Sequence, residues 1–367
     1  MKAMRIQLQM MDEKTRARNV ELVIDQMNIA CPTRVINISE IRTFNVLGLT
    51  DKLPTHIFEY IKFLDKGKMK KLQKVNGVMS QNVSLALKET RYLHQIGIVK
   101  FFPKIPLELE LSYDDLITLT DFQIFSHINV IAYPDYKVRA QTYLRNLDKI
   151  AEYTQSKGFS FQIMPYVNTL HNINVFEAKV KGILDREYMS IGLEIRGGLG
   201  IYPQLTFIQR QLNDKDVWIH GSNVSPRYPR SNLSHVHLLP YFGIDTFART
   251  IFLPPMNPMT EKNVTRFDAL TLGILKYQTH KEKYGQSLNC TCPVCMDHDL
   301  ESFYHGAARQ VILKTKVHDV VASSLEFGKA REHIAHGEFK EYLLSKEYAK
   351  PVLTSLENVS RRLDEWS

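Results

Sequence analysis

The chain has 367 residues, 44% of them hydrophobic, which is enough to bury the core of one large domain or two ordinary ones. No apolar run approaches the roughly 20 residues of a membrane helix, and the N-terminal residues lack the apolar region of a secretory signal. Lys and Arg outnumber Asp and Glu by 47 to 39, and the formal net charge of +8 favours a polyanionic partner. These features exclude a membrane protein and predict a cytoplasmic protein that binds nucleic acid.

Residues 1–115 carry the weakest pattern. Within them, residues 53–75 (LPTHIFEYIKFLDKGKMKKLQKV) are typical of an amphipathic helix with a basic end. Such a helix presents either a solvated face or a phosphate-binding surface. Cys31 stands apart from the other cysteines, and we expect it to be a buried small residue and not a reactive thiol.

From residue 127 onward, short apolar runs alternate with longer polar stretches. They recur about every 27 to 32 residues, the length of a strand-loop-helix unit. The runs are HINVIAYPD (127–135), FSFQIMPYV (159–167), YMSIGLEIR (188–196), DVWIHGSN (216–223) and FGIDTFART (242–250). Between the first two, residues 138–158 end in Lys157-Gly158, as a helix C-cap does. Five such units predict an α/β fold with a parallel sheet, most simply a (β/α)8 TIM barrel, with a doubly wound open sheet as the alternative.

Polar residues follow these predicted strands, where the active sites of barrels lie. Taken singly, each is more often a cap or loop residue. Together on one rim they would form a pocket. The candidates include Asp135, Asn168, Glu194, His220, Ser222, Asn223, Asp245 and Arg249.

Three of the four cysteines, Cys290, Cys292 and Cys295, fall within six positions. Clustered cysteines in a cytosolic protein more often bind metal than form disulfides. The fourth ligand of a tetrahedral zinc is expected among His298, His305 and His318, which follow the cluster. We favour His318 because it lies in a long amphipathic helix that it could pin to the cysteine loop. A closed Cys3His zinc site is structural, since it leaves no open position for catalysis.

The motif Cys290-Thr-Cys292-Pro-Val-Cys295 with His318, together with HGSNVSP…LLPYFGIDTF (220–247), resembles the tRNA-guanine transglycosylase superfamily. The resemblance spans about residues 115–340. It implies a (β/α)8 barrel with a C-terminal Cys3His zinc subdomain. We therefore expect residues 1–115 to form the N-terminal part of the barrel with insertions, 116–285 the barrel core with the pocket, and 286–367 the zinc-binding subdomain and C-terminal helices.

The resemblance also implies an activity. Members of the superfamily exchange a guanine in nucleic acid for a 7-deazaguanine base through a covalent glycosyl-enzyme formed by a carboxylate. The target base must leave its stack, and a second group must protonate the departing guanine. Asp135 matches the strand-end Asp that holds the base edge, and His220 and Ser222 are expected to bind substrate in the same pocket.

The sequence departs from this pattern at the nucleophile. The last Asp of the G-x-D-x-F-D motif is replaced by Ala248, while the earlier Asp245 is retained. The guanine-binding segment is replaced by Met164-Pro165-Tyr166-Val167. Three explanations remain open: Asp245 acts as the nucleophile, the chain is a non-catalytic relative that binds nucleic acid or pairs with another subunit, or position 248 carries an engineered Asp-to-Ala change.

The resemblance leaves two candidate substrates, DNA and tRNA. About thirty residues follow Gly337, so the chain lacks the C-terminal RNA-binding extension of the long archaeal members. Extension-free relatives with altered guanine-pocket motifs include the DNA 7-deazaguanine transglycosylases. The resemblance thus favours DNA over tRNA, although neutralisation of phosphates by Lys and Arg serves either polymer.

Overall fold

The computed structural model describes most of the chain. The described residues are 4–24, 27–54, 57–63, 98–104, 110–125, 130–158, 162–195, 201–212, 214–249 and 260–364. They form a mixed α/β fold with a parallel sheet and a smaller antiparallel sheet.

The antiparallel sheet is N-terminal and has the order β1 (Met4–Met11), β2 (Arg18–Ile24), β3 (Met27–Cys31). Residues of β2 alternate between buried and partly exposed, the period of two expected of a strand with one covered face. Its buried residues Val20 and Leu22 share an apolar cluster with Trp218 and Ala248 of the parallel sheet. The antiparallel sheet therefore covers part of the parallel one.

Within the described residues the parallel sheet has the order β4-β12-β11-β10-β9-β8-β7-β6-β5, and every neighbouring pair is parallel. Its strands are β4 (Thr33–Arg34), β5 (Ile36–Asn37), β6 (Ile57–Phe63), β7 (Ile98–Lys104), β8 (Val130–Tyr133), β9 (Gln162–Asn168), β10 (Ser190–Glu194), β11 (Trp218–Val224) and β12 (Thr246–Arg249). The two end strands β4 and β5 are separated in the chain by Val35 alone, whose backbone N–H donates to the carbonyl oxygen of Phe247 at 2.8 Å. A two-stranded antiparallel ribbon, β13 (Thr265–Asp268) and β14 (Gly273–Lys276), follows β12.

In the described residues, α-helices follow strands β5, β7, β8, β9 and β10, and further helices form the C-terminal part. They are α1 (Ile38–Val46), α2 (Tyr113–Phe125), α3 (Ala140–Ser156), α4 (Ile173–Leu184), α5 (Tyr202–Leu212), α6 (Tyr277–Tyr284), α7 (Leu300–Tyr304), α8 (Ala308–Ala335), α9 (Phe339–Leu344) and α10 (Ala349–Asp364), with short 3-10 helices at Thr50–Lys52, His235–His237, Leu239–Phe242 and Glu261–Asn263. The long helix α8 packs against β13, α1 and β4, so it joins the C-terminal part to the parallel sheet. Among the helices of the described residues, none combines the length and apolar character needed to cross a bilayer.

The predictions for the middle of the chain are confirmed. All five apolar runs contain a strand of the parallel sheet, β8 to β12. Helix α3 lies in residues 138–158 and is followed by Gly158 in the left-handed region with φ +71°. The helix expected around His318 is α8, and Cys31 is buried, with burial raising the pKa of its thiol. Strands from both sides of residue 115 belong to one sheet. The predicted division of the chain into residues 1–115, 116–285 and 286–367 stays a prediction.

The prediction of a helix over residues 53–75 is wrong for the part of this range that the structure describes. Residues Ile57–Phe63 form strand β6, which pairs in parallel with β5 and β7. The physical reason is a period of two: Ile57 packs with the cluster around Trp218, whereas Phe58 packs with the cluster around Phe44. The basic end of the expected helix, from residue 64 onward, lies outside the described residues.

Candidate metal centre and interior polar cluster

The predicted Cys3His group is assembled. Nδ1 of His318 lies 3.4 Å from Sγ of Cys290, 3.5 Å from Sγ of Cys292 and 3.3 Å from Sγ of Cys295. All four ligand atoms lie within 4.8 Å of one another, and His318, not His298 or His305, completes the group. Zn–S and Zn–N bonds of ordinary length at tetrahedral angles place sulfur and nitrogen about 3.6 Å apart. The donor set and its spacing therefore fit one tetrahedral metal ion.

Local backbone geometry positions these ligands. The cysteine loop lies between α6 and α7, and it turns back on itself through a hydrogen bond from the N–H of Cys295 to the carbonyl of Cys292 at 2.9 Å. On α8, Nε2 of His318 lies 2.7 Å from the carbonyl oxygen of Phe267. Because a carbonyl only accepts, Nε2 carries the proton and Nδ1 is left to face the sulfurs. This outer hydrogen bond fixes the imidazole in the tautomer that a metal ligand needs.

The pKa values of the Cys290 and Cys295 thiols shift in opposite directions, and hydrogen bonds with Cys290 and then Cys292 raise the pKa of the Cys295 thiol. Hydrogen bonds from Cys292 and then Cys295 lower the pKa of the Cys290 thiol. Burial opposes a charged His318, but its hydrogen bonds to Cys290 and Cys292 raise its pKa to about 9, so a metal ion would have to displace a proton from Nδ1 on binding. Nη2 of Arg266 donates to the carbonyl of Leu288 at 2.8 Å and lies 3.7 Å from Sγ of Cys295, so a buried cation offsets the negative sulfurs.

The residue after His318 connects this group to the parallel sheet. Oδ2 of Asp319 accepts from Nη1 of Arg249 at 2.8 Å, and Oδ1 accepts from the N–H of Phe267 at 2.8 Å. Arg249 is the last residue of β12. His318 and Asp319, which are adjacent on α8, therefore contact the candidate metal site and the carboxyl end of β12, respectively.

A second site is formed inside the sheet, and we name it the interior polar cluster: Glu59, His220, Ser222, Thr246 and Trp218. Oε1 of Glu59 accepts from Oγ of Ser222 at 2.9 Å and lies 3.2 Å from Nε2 of His220. The side chains of Glu59, His220 and Ser222 are completely buried. The structure thus brings the predicted pair His220 and Ser222 together around a carboxylate that the sequence reasoning missed. The sequence offered little indication of it, because the apolar residues of IFEYIKF (57–63) recur in pairs and not with the period of two that is typical of a strand.

The remaining members orient the imidazole. Nε1 of Trp218 donates to Oγ1 of Thr246 at 2.8 Å, and the same oxygen lies 2.8 Å from Nδ1 of His220. Since an indole N–H only donates, the Thr246 hydroxyl is free to give its own proton to Nδ1. That arrangement leaves the Nε2 proton of His220 directed at Glu59.

Ala248 faces the same interior. It is two residues after Thr246 on β12, so both point to one face of the sheet. It is fully buried in the apolar cluster that contains Trp218 and Tyr166. On the neighbouring strand the register shifts between Gly221 and Val224, which places Ala248 beside the end of β11. A methyl group therefore stands where the resemblance calls for a carboxylate.

A second carboxylate lies nearby, at the carboxyl ends of β9 and β10. Oε2 of Glu194 accepts from Nδ2 of Asn168 at 2.9 Å. Burial raises the pKa of Tyr166, and the charges of Glu59 and Glu194 raise it further. Tyr166, from the segment that replaces the guanine-binding motif, is thus close to both glutamates.

Asp135, predicted to hold a base edge, is enclosed by protein donors. Oδ1 accepts from Nζ of Lys179 at 2.6 Å and from the N–H of Tyr136 at 2.9 Å, while Oδ2 accepts from the N–H of Asn168 and lies 2.7 Å from Nε2 of His171. Burial opposes the charge of Asp135, but the hydrogen bond from His171 and the charge of Lys179 lower its pKa. A base could reach this carboxylate only by displacing one of these donors, so its substrate contact stays a prediction.

Asp245, predicted as the catalytic residue, lies at the opposite edge of the sheet, just before β12 begins. Its carboxylate forms a two-point ion pair with Arg18, with Nε to Oδ1 at 2.9 Å and Nη2 to Oδ2 at 2.6 Å. Oδ2 also accepts from the N–H of Ile219 at 2.7 Å. Burial raises the pKa of Asp245 against the opposing effect of Arg18, and both side chains are completely inaccessible to solvent. No local pattern in the sequence pointed to Arg18 as its partner.

Compared with protein-family models and with curated protein sequences, the chain matches none. The interpretation of both sites therefore rests on their geometry and on the motifs of this sequence. The Cys3His group has the donors of a closed metal centre, and the interior polar cluster brings a carboxylate, an imidazole and a hydroxyl group together in a buried setting.

Proposed function

We propose that the parallel sheet closes into a (β/α)8 barrel. The two ends of its strand order, β4 and β5, are one stretch of chain interrupted at Val35, and they pair with β12 and with β6. Counting them as a single strand reduces the nine strands of the order to eight, the number in a TIM barrel. A doubly wound open sheet has two separate edge strands instead, so this connectivity supports the barrel.

We further propose that Cys290, Cys292, Cys295 and His318 hold a structural zinc ion. The support is the donor set, the separations that suit tetrahedral bonding, and the outer hydrogen bond on Nε2 of His318. Bound zinc would supply a cross-link, because four protein ligands leave no position for substrate. Its effect would be to fix α8 against the cysteine loop and, through Asp319, against Arg249 of β12.

The function that we propose is exchange of a guanine in nucleic acid for a 7-deazaguanine base, with DNA favoured over tRNA as the polymer. The observation that carries this proposal is the interior polar cluster, where Oε1 of Glu59 lies within 3.2 Å of His220 and 2.9 Å of Ser222 beside Ala248. Exchange at a sugar carbon with a covalent intermediate requires a carboxylate beside that carbon. The formal charge of +8 supports attraction of the phosphate backbone.

Different residues of the chain have different roles in the proposed exchange. Lys and Arg side chains neutralise phosphates and hold the polymer, while the barrel interior receives the extruded base. Tyr166 offers an aromatic face near the two glutamates. A carboxylate of the interior forms the glycosyl ester, and the buried surroundings strengthen its attraction for the cationic sugar.

A non-catalytic role is the second candidate, and one observation favours it. Ala248 has no carboxylate and is packed in an apolar cluster. In that case the chain binds nucleic acid, or joins a homo- or hetero-oligomer whose other subunit is active.

Base exchange on the purified protein tests the proposal. The protein is incubated with radiolabelled guanine or a 7-deazaguanine precursor, with duplex DNA and bulk tRNA in separate reactions, and label in acid-precipitable polymer is counted. We expect label in DNA. Label in tRNA alone would support a tRNA-guanine transglycosylase, and binding of nucleic acid without label in either polymer would support the non-catalytic role.

A further inference from the structure

The interior of the parallel sheet contains a carboxylate that is placed to replace the one missing at position 248. We propose that Glu59 is the nucleophile of the base exchange and that His220 and Ser222 are positioning residues for it. This inference rests on the proposed function.

Besides Glu59, the strands of the parallel sheet and the residues next to them carry buried carboxylates at Asp135, Glu194 and Asp245. Asp245 is held by Arg18 at the amino edge of the sheet, away from the strand ends where barrels bind their substrates. Asp135 is engaged by Lys179 and His171. Glu194 accepts from Nδ2 of Asn168 on β9. In the part of the chain that the structure describes, Glu59 is instead hydrogen-bonded to Ser222 of β11, the strand that pairs with β12 and so lies beside Ala248.

The carboxylate of Glu59 is held in one orientation by hydrogen bonds. A hydroxyl and an imidazole both direct protons at Oε1 of Glu59, from Ser222 at 2.9 Å and from His220 at 3.2 Å. The imidazole is itself fixed by the relay from Trp218 through Thr246. A catalytic group must be held in one geometry by its neighbours, and this carboxylate is held by two side chains of β11, one of which is itself fixed by Thr246 of β12.

The chemical step balances without an added oxidant or reductant. An oxygen of the Glu59 carboxylate bonds to C1′ of the target nucleotide as the bond from C1′ to N9 of guanine breaks. The electron pair leaves with N9, and the departing guanine takes up one proton from water. The incoming 7-deazaguanine then loses one proton to water, its nitrogen bonds to C1′, and the ester bond to Glu59 breaks with its electron pair returning to the carboxylate.

The experiment compares four proteins: the parent chain, Glu59→Gln, Glu59→Asp and Glu326→Gln. Glu326 is the matched control because its carboxylate is also buried but is bound to Lys346 and Tyr342 of the C-terminal part. Each protein is checked for zinc content and for cooperative thermal unfolding. Exchange of label is then measured, and reactions quenched in acid are digested and searched by mass spectrometry for a peptide that carries the sugar and its attached strand.

We expect the parent to exchange label and to yield an adduct on the peptide that contains Glu59. Glu59→Gln should lower the exchange rate at least 1,000-fold and remove the adduct, because an amide cannot form the ester. Glu59→Asp should restore measurable adduct at a reduced rate, and Glu326→Gln should retain the adduct. A parent that exchanges while folded Glu59→Gln exchanges equally well would overturn the role of Glu59 and leave the proposed function standing.

Ala248→Asp separates the remaining outcomes. If this variant exchanges label and the parent does not, the fold is built for the reaction and the assignment to Glu59 is wrong. If neither exchanges label on DNA or on tRNA, the proposed function fails, and the assignment of Glu59 as its nucleophile fails with it.

Discussion

The buried ion pair between Arg18 and Asp245 makes a strong prediction about stability. Arg18 opens β2 of the antiparallel sheet, and Asp245 precedes β12 of the parallel sheet. The guanidinium also donates to the carbonyl oxygens of Leu212 at 2.7 Å, Lys215 at 2.8 Å and Val217. One side chain thus ties the two sheets together, and we predict that Asp245→Asn acts mainly on folding.

The size of the effect follows from burial. Asn keeps the shape of Asp245 but removes the charge, which leaves the Arg18 cation without a counter-ion in a site that has no solvent exposure. Removing one partner of a buried pair costs about 3–5 kcal/mol. The three carbonyl acceptors of Arg18 remain, so we expect a value near the lower limit, about 3 kcal/mol. Arg18→Met should cost more, about 4–5 kcal/mol, because it leaves both a buried carboxylate and those carbonyls without their donor.

Urea unfolding of the parent, both single variants and the double variant measures these values. The double variant removes both charges, so its loss should be smaller than the sum of the single losses by about 1–3 kcal/mol. Lys14→Met is the control, because Lys14 pairs with Glu341 at the exposed surface and should leave the midpoint unchanged. A loss below about 1 kcal/mol for Asp245→Asn, combined with abolished base exchange, would refute this reasoning and return Asp245 to a catalytic role.

Three further predictions concern other parts of the molecule. Cys295→Ser should lower bound zinc to less than about half an equivalent by elemental analysis and lower the melting temperature, since structural metal contributes folding energy; full zinc occupancy would contradict the Cys3His assignment. Lys179→Met should destabilise the protein by about 3 kcal/mol in urea because it removes the buried lysine cation that pairs with the carboxylate of Asp135, and an unchanged midpoint would count against that pair. Burial lowers the pKa of His235 from 6.5 to about 4, so its stability contribution is complete above pH 6.5 and is lost as the pH falls toward 4. The free energy of unfolding should therefore fall by roughly 3 kcal/mol between pH 6.5 and pH 4. His235→Phe should flatten the measured dependence of stability on pH over this range. His336→Phe, which changes an exposed histidine, is the control and should leave that dependence in place.

The elements that the sequence predicted correctly are those whose signal is local. Cys290, Cys292 and Cys295 lie so close in the chain that their thiols can meet on one ion in almost any turn. The helix predicted around His318 is present, although its buried residues include Asp319 and Glu326 as well as apolar ones. Strands β8 to β12 are buried on both faces and therefore appear as short continuous apolar runs. Such patterns are readable because they depend on the residue types of one short segment.

The features that the sequence did not reveal depend on distant partners. Arg18 and Asp245 are 227 positions apart, and neither segment carries a mark of the other. Glu59 lies in the strand Ile57–Phe63, whose polar residues Glu59 and Lys62 are three positions apart, a spacing that is typical of a helix and not of a strand. The role of its carboxylate became visible only when β6 was placed where the side chain meets His220 and Ser222, 161 and 163 positions later.

The two candidate sites are connected through helix α8 and strand β12. His318 faces the cysteines and its neighbour Asp319 holds Arg249, the residue that follows Ala248 on β12. Asp319 also accepts from the backbone of Phe267, whose carbonyl fixes the ring of His318. A metal ion that holds His318 in place would hold Asp319 with it, and Asp319 would then fix the carboxyl end of the strand that lines the interior polar cluster. The Cys3His centre would therefore act on the reaction without touching the substrate, by limiting how far the wall beside Glu59 can move.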